Sequence, residues 1–175
     1  MANNKILQAA EANVEKQLVP EIKDDYLKIV VAGSKVAMQG GPDGMLAKLK
    51  QSADPVKSCA EGAVNLVMTM RGQSRGQMPV KALIPAATTL MLHALDFAGR
   101  TGIIKVDAAL LDKATHIFTN RMFAALGITS EMLRKMGKRT HTVMQDPEQM
   151  ETINRRAGTV KDPRASISSG IVKGA

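Results

Sequence analysis

From residue 54 to residue 71 the apolar side chains Val56, Cys59, Ala60, Ala63, Val64, Val67 and Met70 recur every three or four positions. That step gathers them on one stripe of an α-helix and is incompatible with the every-second-residue alternation of a half-buried strand. A chain built of such stripes has to bury them against other helices. Asp54-Pro55 supplies the start signal, a capping carboxylate followed by a proline at the first helical position. The same step returns over 80–98 through Leu83, Ile84, Ala87, Leu90, Met91, Ala94, Leu95 and Ala98. Pro85 falls where it is either tolerated near the first turn or kinks the helix.

The remaining segments follow the same grammar. A first helix is expected over 4–18, with Ile6, Ala10, Val14 and Leu18 on its inner face. Pro20 opens a second, with Glu21, Asp24 and Asp25 early and Lys35 late, as the helix dipole prefers, and Gly40-Gly41 to stop it. GGPDG reads as a turn before a short helix over 45–51. RGQSRGQMP reads as a polar connection carrying Arg71 and Arg75. Gly99 and Gly102 are expected to end the helix after it, Asp107 to cap another that closes at Gly127, and Thr129-Ser130-Glu131 to open a last short helix through Met136. Only KIVVAG hints at a strand, and its neighbours place it in a helix. The expected fold is all-α: a helical bundle of about five to seven helices over residues 1–138, followed by an extended basic C-terminal arm over 139–175.

The arm ends in NRRAGTVKDPRASISSGIVKGA, with five basic residues against one acid, three glycines, three serines and no aromatic. Such a composition has too little apolar surface to fold alone. Of the net charge of +8, residues up to 133 contribute 15 basic and 12 acidic side chains and the remainder nine and four, so the last quarter supplies +5. Excess positive charge attracts polyanions without choosing among them. The N-terminus lacks a basic start followed by an apolar stretch, and no apolar run approaches the roughly 18 residues of a membrane span, so a soluble chain without a secretion leader is expected. The single cysteine, Cys59, excludes an intrachain disulfide and reads as a core residue.

The patterns that carry chemistry are weak throughout. GGPDGMLAK and AGRTGIIK lack the glycine spacing and the Lys-Ser/Thr pair of a phosphate-binding loop. Among His93, His116 and His141, only Asp112 with His116, and His93 with Asp96, have the helical spacing of two ligands, which is short of a zinc site. Cys59 has no neighbour that would lower its thiol pKa. Asp24 and Asp25 point about 100° apart on a helix. No catalytic, cofactor or metal residue is assigned, and the chain is expected not to be an enzyme.

Two partner classes remain. Nucleic acid could be met by phosphate contacts from Arg71, Arg75, Arg134, Lys135, Lys138 and Arg139. With only Tyr26, Phe97, Phe118 and Phe123 as aromatics, a single-strand stacking platform is not expected. The other partner is protein. Met78, Met144 and Met150 lie outside the periodic segments and are expected to bury against another chain. A body of 138 residues has a radius of gyration of about 14 Å, whereas 37 extended residues span on the order of 120 Å, enough to cross a neighbouring subunit. Partner contacts along the arm are assigned to Met144, Met150, Ile153, Arg155, Arg156, Val160, Arg164, Ile167 and Ile171.

The stretch DPVKSCAEGAVNLVMTMRGQSRGQMPVKALIPAATTLMLHALDFAGRTGI, within an Ala- and Met-rich helical chain that ends in a basic Gly/Ser-containing arm, resembles small structural proteins of tailed-bacteriophage virions. The resemblance implies a non-enzymatic component of the neck, tail or internal ejection apparatus, found in the host cytoplasm before assembly. It would be present in several copies and would contact itself and other virion proteins. The alternative is a small helical nucleic-acid-binding or regulatory protein.

Overall fold

The computed structural model describes residues 4–39, 41–129, 131, 132, 134 and 135. The described residues form six helices and no strand: α1 (Lys5–Lys16), α2 (Pro20–Ala37), α3 (Gly41–Gln51), α4 (Pro55–Gln73), α5 (Val80–Arg100) and α6 (Ala108–Ala125). The all-α expectation holds. Residues Met1–Gly127 make one unit and those from Ile128 onward a second. In the second, Glu131, Met132, Arg134 and Lys135 are helical, the Met132 N–H donates to Thr129 Oγ1 at 3.2 Å, and Lys135 pairs with Glu131 at 2.8 Å.

Local signals set most helix ends. Asp54 Oδ1 accepts from the Lys57 N–H at 3.0 Å, Asp107 Oδ1 from the Leu110 N–H at 2.8 Å, and Asn4 Oδ1 from the Ile6 N–H at 2.9 Å. Each satisfies one of the N–H groups that a helix start leaves without an intrahelical partner. Gly127, at a φ of 73°, provides the left-handed residue that closes α6.

α5 is the centre of the first unit. It packs against α1, α2 and α4, while α6 and α3 also pack on α4. Three neighbours demand an apolar surface almost all round, and α5 supplies it with Ala82, Leu83, Ala86, Leu90, Met91, Leu92 and Leu95, all at most 5% exposed. By length and composition α5 could cross a membrane, although the sequence holds no uninterrupted apolar run of that length. With 67% of its apolar window buried inside the protein, it is here the core helix of the bundle.

Four expectations are corrected. GGPDG is not a turn: α3 already begins at Gly41, whose φ is 73°, and Pro42 falls in the first turn, where a missing N–H costs nothing. Arg71 belongs to the last turn of α4, not to the loop after it. Gly99 lies inside α5 and does not end it. Its lack of a side chain serves a close approach, because a Cβ there would sit 2.8 Å from Val106 Cγ2. On α1 the inner face is wider than expected: Ala10, Val14 and Leu18 pack on the core, Leu7 and Glu11 are buried beside them, and Ile6, of the four expected residues, is 38% exposed. Pro85 sits within α5 and the helix continues through it.

Candidate functional site

The C-terminal half of α2, the helix α3, and one face each of α4 and α5 enclose an opening of about 580 Å³. Small residues make room for it: Gly62 and Ala63 on α4 and Ala94 on α5 leave volume that Met45 and Leu49 of α3 roof without filling. Leu66, Leu90 and Phe97 complete an apolar wall. The volume falls in the range of a small-ligand or side-chain-binding cleft between helices.

Two of its polar side chains, His93 and Asp96, are held by partners on this chain. His93 Nε2 lies 2.9 Å from Glu11 Oε1, tying α5 to α1. Asp96, 4% exposed, holds Arg100 Nε at 2.9 Å and also accepts from the Asn4 N–H at 3.3 Å. His93 therefore pairs with Glu11, a partner that the sequence spacing did not suggest. Cys59 lies in the wall, and burial pushes its thiol up to about 12. A thiol that keeps its proton at neutral pH is not a poised nucleophile. Asp112 and His116 are both exposed, and among the described residues no group of three or more His, Cys, Asp or Glu could hold a metal ion. What the opening offers is an apolar surface with Lys48 and Arg100 in its lining.

A second surface lies on α2. Tyr26, Ile29 and Gly33 face the core, while Leu27, Val31 and Met38 are 46%, 53% and 43% exposed. The helix is apolar on two sides, a pattern present in YLKIVVAGSKVAM.

The residues assigned to phosphate contact are only partly described. Arg71 ends α4 half-buried, and Arg75 is exposed at a φ of 52° in the turn that follows. Arg134 and Lys135 are exposed in the second unit. Lys138 and Arg139 lie outside the described residues, as do the assigned arm residues Met144, Met150, Ile153, Arg155, Arg156, Val160, Arg164, Ile167 and Ile171. Met78 is a correction: it is half-buried and packs on the chain's own core, so no second chain is needed to account for it. Tyr26, Phe97 and Phe118 are buried and Phe123 is half-buried. No family model, curated protein or solved structure matches the chain.

Proposed function

We propose that the chain is a non-enzymatic structural protein of a tailed-phage virion that packs in several copies, with residues 139–175 of each copy gripping a neighbour. The observation that carries this reading is the apolar opening between α2, α3, α4 and α5. A strap with isolated apolar pegs such as Val160, Ile167 and Ile171 needs an apolar recess on the surface it crosses, and a cleft of about 580 Å³ accommodates more than one such side chain. Tethering many copies this way turns weak individual contacts into a durable assembly.

Deleting residues 139–175 tests the reading. The truncated chain keeps its helical content and cooperative melting but loses higher-order assembly in native mass measurements; a truncated chain that still assembles removes the arm from the mechanism. Gly62→Phe, which places a ring in the cleft from an exposed position, weakens assembly in the same way. The second reading, nucleic-acid binding, rests on the exposed cations Arg75, Arg134 and Lys135. DNA binding that stays tight at physiological salt favours that reading, whereas weak, sequence-blind binding that fades with salt belongs to the first.

A further inference from the structure

Leu27, Val31 and Ser34 of α2 and Met38 at its C-terminal cap follow one another at steps of four, three and four residues. That is the seam spacing by which one helix packs lengthwise on another. The three apolar members are all more than 40% exposed, so in the isolated chain the seam is uncovered. Along one flank of the seam run Glu21, Asp24, Lys28 and Lys35, at steps of three, four and seven, and all four are exposed. The order of charge along that flank is acid, acid, base, base.

This order chooses the partner and its direction. Two antiparallel helices bring like flanks together, so the acidic first half of one α2 meets the basic second half of another. A parallel pair sets this flank against the opposite one, where Lys23, Val30 and Ala37 offer Lys28 and Lys35 no acid. A surface that complements itself when turned end for end is the mark of a two-fold contact between identical chains. We infer that the outer face of α2 is a two-fold, antiparallel contact between two copies of this chain. Leu27 and Val31 of each copy lie in the seam, and Asp24 of one lies beside Lys35 of the other. The inference rests on the reading of the chain as a protein that packs in copies; it does not need the arm, and its seam shares Ser34 and Met38 with the lining of the cleft.

The test uses the full chain, with mass followed by sedimentation equilibrium over a range of concentrations. Val31→Asp, at a position 53% exposed and therefore outside the core, leaves the circular dichroism and melting profile intact and raises the dimer dissociation constant by at least about a hundredfold. Asp24→Lys and Lys35→Glu each weaken the dimer about tenfold, because the symmetry loses two ion pairs at once. The double variant Asp24→Lys with Lys35→Glu recovers the wild-type constant, which a merely structural effect of either substitution does not do. Unchanged mass in all variants, or a double variant no better than the singles, overturns the inference. If those variants change nothing while deletion of 139–175 lowers the mass, the α2 contact is wrong and the arm-based reading survives. If the deletion changes nothing while the α2 variants dissociate the chain, the α2 contact stands and the arm-based reading falls. A full chain that is monomeric at every concentration overturns both.

Discussion

The Tyr26 hydroxyl lies 2.9 Å from Thr89 Oγ1, in a buried hydrogen bond that joins α2 to α5 across 63 residues of sequence. Both side chains are at most 3% exposed, so each hydroxyl relies on partners inside the protein.

Tyr26→Phe removes this bond and lowers stability by about 1 kcal/mol in urea melts. Thr89→Val acts similarly, and the double variant loses less than the sum because the two residues share one interaction. Burial raises the Tyr26 pKa above its ordinary 10.0, so the folded chain holds the phenolic proton more tightly than the unfolded chain does. The stability this provides is complete below pH 10 and is lost as pH rises through the higher folded value. Melts above pH 10 therefore fall more steeply for the wild type than for Tyr26→Phe.

Asp54 caps α4 and also holds Lys113 Nζ of α6 at 2.8 Å. The Lys113 hydrogen bond first, and the Lys57 N–H second, keep its carboxyl below the ordinary 3.8. Its contribution is present above that value and disappears as pH falls through the lower folded one. Asp54→Ala costs about 1 kcal/mol at pH 7 through the lost cap. Asp54→Asn retains a capping oxygen, costs less, and flattens the acid limb of the stability curve below pH 4.

Two helical glycines respond in opposite directions to the same change. Gly62, with nothing within 4 Å of a built Cβ, accepts alanine, and Gly62→Ala raises stability by about 0.5–1 kcal/mol. At Gly33 a Cβ would meet Leu90 Cδ1 at 2.6 Å. Gly33→Ala therefore lowers stability by about 1 kcal/mol once crowding is set against the gain in helix propensity. Paired denaturant titrations read both signs.

Cys59 is 3% exposed and its thiol stays protonated well above pH 8. Disulfide-exchange reagents at pH 8 label the native chain on the order of a hundredfold more slowly than the same chain in denaturant. A native rate equal to the denatured one would place the thiol at the surface.

Much of the fold was legible because helix formation is decided over a few residues. The caps at Asp54 and Asp107, the closing Gly127, and the seven-member stripe of α4 are all found where the spacing put them, down to each buried side chain from Val56 to Met70. GGPDG misled because glycine and proline serve a turn and the first turn of a helix equally well. The candidate site was not legible. Its wall draws on four helices, and no local pattern announces a space whose lining comes together from four separate segments.

The sequence by itself determined that this chain is helical, where most of its helices begin, and which side of α4 faces inward, since all of that follows from spacing within one segment. Only the tertiary structure decided that Glu11 turns inward to meet His93, 82 residues away, that Met78 closes its own core, and that one of the two apolar faces of α2 is left uncovered. Those outcomes depend on which helix arrives alongside, and burial is a property of the pair and not of either sequence alone.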